Sequence, residues 1–177
     1  MRFIAKFLFA LLLVSTNFTD VYSQDVLPDA CSLATTSELS KLLGIELADT
    51  KSSVKGTYCN RQTADFARSV VVQYVDFHEV KTAQQLLGWG FDGNKKDIDA
   101  HKTAVGIYET LELFPEAGES ANYMTGEAKN SVFPLQTRLQ FRLGKYLVSV
   151  DTRGIPITKV TANTSAIFKM IKKNSGL

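Results

Sequence analysis

The chain has 177 residues, 45% apolar and 21% charged, with 20 basic and 18 acidic side chains. That near-balance excludes a protein held to nucleic acid or to an anionic membrane by bulk charge. The length suits one domain with a sizeable core.

The first stretch reads MRFIAKFLFALLLVSTNFTDVYSQ. Arg2 and Lys6 make a positive start, Phe7 to Val14 is an unbroken apolar run, and Val21 and Ser23 offer small residues where a signal peptidase reads them. A membrane anchor would need about 20 apolar residues, so the pattern predicts a cleaved signal peptide over residues 1–23 and one exported domain over 24–177. Cleavage removes Arg2, Lys6 and Asp20, leaving 18 basic and 17 acidic residues. The reading therefore expects no nucleic-acid partner, no stable membrane insertion after cleavage, and a periplasmic or extracellular location.

The exported part carries two cysteines, Cys31 and Cys59. In an oxidising compartment they predict a disulfide, two separate buried thiols being the alternative. Just after Cys31, Thr35-x-x-Glu38 is a capping box. Leu39, Leu42 and Leu43 form the apolar stripe of a helix over Thr36 to Leu43, and Gly44 suits its stop. Ile45 to Ser53 reads as a connection. Tyr58 to Gln62 and Arg68 to Asp76 read as a hairpin, the second strand being rich in β-branched residues. Val80, Ala83, Leu86 and Leu87 then share a helix face, with an expected end near Gly88 and a polar loop over Gly90 to Lys102.

Ala104 to Phe114 has strand-like chemistry interrupted by Glu109. A loop around Pro115 and a short strand over Ser120 to Gly126 follow. Leu135 to Arg142 alternates, Gly144 is a turn, and Tyr146, Val148 and Val150 continue a second strand to Asp151. Thr158 to Lys173 reads as one helix, its terminal lysines favourably placed against the helix dipole. The fold class predicted is α+β: an antiparallel sheet with helices on one face, in which a hairpin followed by a helix occurs twice.

Several motifs invite chemistry and fail on context. Gly88-x-Gly90-x-x-Gly93 spells the dinucleotide fingerprint, but its glycines follow a helix where they should open one. They read as a helix end plus a loop whose Trp89 and Phe91 pack on the core or hold a small ligand. Counted as an EF-hand from Asp92, the required glycine and glutamate positions hold Asp97 and Thr103. His78 and His101 have no metal-ligand spacing, and no metal or other cofactor is expected. Gly118 to Asn122 nearly imitates a nucleophile elbow around Ser120, yet Asn122 replaces the last glycine. Glu109, Glu112, Glu116 and Glu119 read as exposed carboxylates. Arg138, Gln140 and Arg142 share a strand face and are candidate anion ligands, or the solvent side of a half-buried sheet.

The stretch DACSLATTSELSKLLG, the later Cys59 and FPEAGESANYM together resemble a class of bacterial exported domains of unknown function. Its best-known members are actinobacterial lipoproteins, and the extracellular sensor of some mycobacterial serine/threonine kinases looks distantly similar. Asp29, Cys31, Ser32 and Leu33 match the opening motif, and Gly118, Glu119 and Ala121 the later one. Asn60 stands where tryptophan is usual, and the lipid-attachment cysteine is missing. The resemblance implies an α+β domain with a curved antiparallel sheet, one disulfide and no known catalysis. It assigns no site residue.

The functional expectation is a secreted or periplasmic binding or interaction module for a small molecule or a protein partner. The candidate ligand-binding residues are Trp89, Phe91, Arg138 and Arg142. A secreted hydrolase and a secreted inhibitor presenting Gly90 to Lys102 are the alternatives.

Overall fold

The computed structural model describes residues 26–50, 56–100, 108–127 and 134–177. The expected signal peptide and its cleavage point, and His101, lie outside them. The elements in chain order are α1 (Ala30–Leu33), α2 (Thr36–Leu43), β1 (Ala48–Asp49), β2 (Tyr58–Gln62), β3 (Ser69–Asp76), α3 (Val80–Asp99), β4 (Thr110–Leu113), a 3-10 turn (Pro115–Ala117), β5 (Asn122–Glu127), β6 (Leu135–Leu143), β7 (Tyr146–Arg153), α4 (Ile157–Thr161) and α5 (Thr164–Ser175).

The strands form one seven-stranded antiparallel sheet in the order β1-β2-β3-β7-β6-β5-β4. The hairpins β2–β3 and β6–β7 meet through β3 and β7, and each is followed by a helix, so the repeated hairpin–helix unit is present. Both sheet edges are short strands, which limits open backbone for unwanted pairing.

Alternation divides the sheet into two faces. Val70 and Val72 of β3, Leu139 and Phe141 of β6, and Val148 and Val150 of β7 lie on one. Leu33 of α1, Leu39 and Leu43 of α2, Val160 of α4, and Ile167, Phe168 and Ile171 of α5 complete a single buried cluster with them. Phe168 meets Phe141 and Phe114 edge-on, with ring centroids 5.1 and 5.8 Å apart, the geometry that aromatic quadrupoles favour. The fifth helix, α3, lies against β4, β6 and β7, and its buried Ala83 and Leu87 are not part of that cluster.

The α+β class, the antiparallel sheet and both hairpins follow the sequence reading. The stretch from Gly90 onward does not. It continues α3 to Asp99, so the loop expected over Gly90 to Lys102 is helix as far as Asp99, with residues 101 and 102 outside the described ones. A glycine that stops a helix takes positive φ, and Gly88, Gly90 and Gly93 do not. Glycine lowers helix propensity without forbidding a helix. Buried Leu87 and half-buried Phe91, Asn94 and Ile98 carry the stripe onward, and Lys95 pairs with Asp99 one turn later at 2.9 Å. The C-terminal helix, in turn, is two. Asn163 donates its side-chain amide to the Lys159 carbonyl and Thr164 its hydroxyl to the Thr161 carbonyl. Such local bonding competes with the helical ladder, and the chain bends between α4 and α5.

The disulfide is present: Cys31 in α1 and Cys59 in β2 are bonded, with Cα atoms 5.1 Å apart. Beside it lies Arg61, only 1% exposed. Its guanidinium donates to the Cys31 carbonyl (2.8 Å) and the Thr36 hydroxyl (2.9 Å) and pairs with Asp49 (3.3 Å). One buried arginine therefore ties α1, α2 and β1 to β2, which charge-assisted bonds can do only if the burial is compensated.

The capping box also forms. The Glu38 carboxylate accepts from the Thr35 hydroxyl (2.7 Å) and backbone N–H (3.0 Å), and from the Asn174 amide of α5 (3.2 Å). The Thr35 hydroxyl bond, first among these, holds the Glu38 carboxyl below the usual 4.5. A depressed carboxyl contributes stability above its unfolded pKa and loses it as pH falls through the folded one. Glu38→Gln should therefore cost about 0.5–1 kcal/mol near neutrality. The gap to wild type should narrow as pH falls through the folded pKa, as read from urea midpoints at neutral and at acid pH.

Candidate binding site

The second face of the sheet is polar at its centre. β6 and β7 are joined by a two-residue turn in which Gly144, at φ 54, takes the positive-φ position such hairpins require. That turn sets the register, placing Arg138 opposite Asp151 and Gln140 opposite Ser149. β3 adds Gln73 beside Ser149. Tyr108, two residues before β4, leans over this array.

Arg138 Nε pairs with Asp151 Oδ1 at 2.5 Å, and the Tyr108 hydroxyl donates to the same oxygen at 3.5 Å. The Gln73 amide reaches Asp151 Oδ2 at 3.4 Å, and the Gln140 amide donates to the Ser149 hydroxyl at 3.3 Å. The Arg138 guanidinium also lies 5.6 Å from the Tyr108 ring centre, a cation–π distance. Burial, the dominant influence, pushes the Tyr108 phenol up to about 12, so it stays a neutral donor. Burial works against the Arg138 charge, but Asp151 more than compensates and raises its pKa. The result is a shelf of neutral or mutually neutralised groups. It can donate and accept hydrogen bonds to a polar ligand.

The four candidate ligand residues are not brought together. Arg138 is engaged by Asp151. Arg142, on the same face, donates to the Gly144 carbonyl at 2.7 Å and braces the hairpin turn. Trp89 and Phe91 are on α3. Trp89 is 67% exposed, so it does not pack on the core, whereas Phe91 is half-buried.

The candidates for catalysis are dispersed. Glu112 accepts from Tyr123, Glu116 is bound by Lys169 at 2.8 Å, and Glu119 by Gln84 at 2.8 Å. His78 is beside Asp76 and Lys145 at the far end of β3. Among the described residues, no three His, Cys, Asp or Glu side chains are grouped to hold a metal ion, and no helix is long and apolar enough to cross a membrane.

Sequence reasoning singled out Arg138 but missed Asp151, Gln73 and Tyr108. Asp151 was within reach, because a two-residue turn at Gly144 and Lys145 already sets it opposite Arg138. Nothing local to Tyr108 announces its partners.

The chain matches no family model and no curated protein. Its fold is that of an extracellular domain of known structure. The match is to the extracellular domain of PknH from Mycobacterium tuberculosis, with a TM-score of 0.51 and 12% identity over 83% of this chain and 94% of that one. At that identity the likeness is one of fold. It agrees with the resemblance carried by Asp29 to Leu33 and by Gly118, Glu119 and Ala121, of which Asp29, Gly118 and Ala121 have structural roles here. Asp29 caps α1 by accepting from the Cys31 N–H, Gly118 has φ 109, and Ala121 is fully buried.

Proposed function

We propose that the chain is an exported, non-catalytic binding module of the extracellular-sensor type. The observation that carries this reading is the second sheet face. Tyr108, Arg138 and Asp151 form a partly buried polar array at the centre of the sheet. A face serving only as a solvated surface needs no such arrangement, and its charge-matched groups suit reversible recognition of a polar small molecule better than bond-breaking. The disulfide between Cys31 and Cys59 supports an oxidising location.

The test is a thermal-shift screen of residues 24–177 against sugars, amino acids, nucleosides, metal ions and envelope fragments. A ligand at 100 times its Kd stabilises by about 2.7 kcal/mol, which raises the melting temperature by several degrees. Arg138→Ala should abolish the shift for a ligand held on this face. If nothing stabilises the domain and it instead turns over an ester, glycoside or peptide substrate, the hydrolase reading replaces this one.

A further inference from the structure

The outer face of α3 carries a feature that neither the core nor the polar shelf explains. Trp89, the one tryptophan in the chain, is 67% exposed. It borders a groove of about 390 Å³ whose walls are Lys81, Gln84, Gln85, Gly88 and Asp92 from the helix, and Glu119 and Ser120 from the segment before β5. That volume is at the lower end of the roughly 300–1,000 Å³ of small-molecule sites. The walls are linked by the hydrogen bond from the Gln84 amide to Glu119 at 2.8 Å, so the groove is held in shape without a ligand.

The glycines point the same way. In a helix a side chain leans back over the turn before it, so residue i+4 covers residue i. The residue four after Trp89 is Gly93, which has nothing to cover it with. A Cβ at position 93, or at 90, would meet no atom within 4 Å, so packing does not demand glycine at either place. Glycine inside a helix is destabilising relative to alanine. At 93 its effect is to leave the indole face bare.

We propose that this groove binds a neutral saccharide. A pyranose ring has an apolar C–H face and a polar rim. Its recognition needs an open aromatic face beside planar side chains that donate and accept hydrogen bonds. The indole supplies the first, and the two glutamine amides with the Asp92 and Glu119 carboxylates supply the second. With Lys81 against Asp92 and Glu119 the lining carries one positive and two negative side chains, a balance that favours an uncharged ligand over a phosphorylated one. This inference rests on the reading of the chain as a binding module and names a ligand class for a second surface of it.

The test uses residues 24–177 and the emission of Trp89, which reports on this site alone. Titration with chitotriose and with cellotriose should give a saturable change in indole emission, with Kd near about 1 mM for a groove this shallow. By calorimetry, Trp89→Ala should weaken binding at least about tenfold, and so should Gly93→Gln, which lays a side chain across the indole while circular dichroism shows the helix retained. An unchanged emission with both sugars overturns the proposal, as does binding that survives Trp89→Ala. If the sugars fail while another compound raises the melting temperature, the saccharide assignment falls and the binding module stands. If nothing in either experiment binds, both fall.

Discussion

Gly154→Ala is expected to remove about 4 kcal/mol or more of stability, a loss at the far end of what single substitutions do. Gly154 follows β7 with φ 69, a left-handed conformation costing an ordinary residue roughly 1–2 kcal/mol. The larger part is steric. An added Cβ would sit 2.0 Å from the Ala67 carbonyl oxygen and 3.2 Å from its carbon. These are backbone atoms of the turn joining β2 to β3, and they have no rotamer through which to retreat. That turn is already tied, with Thr63 accepting the Arg68 N–H and donating its own N–H to the Arg68 carbonyl. Gly154 itself donates to the Leu135 carbonyl at 2.7 Å, so moving away would break the end of the β6–β7 ladder. Gly90→Ala is the control. It sits in open space inside α3 and should stabilise by about 0.5–1 kcal/mol through helix propensity. Urea midpoints of the two variants should move in opposite directions. If they move together, close backbone packing at Gly154 is not what holds the two hairpins in place.

The hairpins were legible because each signal is local. Alternation in Leu135 to Arg142 and the glycine turn after it are enough to write the β6–β7 register, and the β-branched run of Val70 to Val72 marks β3 without knowledge of its neighbours. Helix α2 announced itself at both ends, through Thr35, Glu38 and Gly44. The errors occurred where a residue's meaning depends on something distant. Gly88, Gly90 and Gly93 carry identical propensities whether they stop a helix or sit within one, and only the apolar stripe beyond them, weakened by Asn94, says which. Tyr108 and Asp151 are 43 residues apart, and no periodicity links them. Arg61 shares the strand face of Cys59, but nothing in the alternation says what compensates its charge there. Its burial follows from α1, a four-residue helix too short to leave a pattern, and from Asp49 on an edge strand only two residues long. The candidate site was half visible for the same reason: its strand residues could be paired from the turn, while Tyr108 and the α3 groove depend on tertiary placement.

Replacing both cysteines, Cys31→Ser with Cys59→Ser, should destabilise the domain by about 3–4 kcal/mol, the chain-entropy value for a closed loop of this length, here with a sequence separation of 28. The bond has a second consequence through Arg61. The Cys31 carbonyl is one of the acceptors that compensate this buried guanidinium, and α1 is otherwise held by its buried Ala30 and Leu33, by the Asn174 amide on the Leu33 carbonyl and by Ala30 N–H to the Gly56 carbonyl at 2.6 Å. Once the sulfur link is gone, any shift of Cys31 away from β2 leaves Arg61 desolvated with one partner fewer, the situation that makes a broken buried pair costly. The two effects are therefore coupled. Arg61→Met, which fills a similar volume without charge, should cost less in the serine background than in the bonded protein. A double-mutant cycle on urea midpoints measures that difference directly. Parallel curves for wild type under oxidising and reducing conditions would show that the disulfide contributes nothing to this fold. Strict additivity of the cycle would show that Arg61 is held by Thr36 and Asp49 alone.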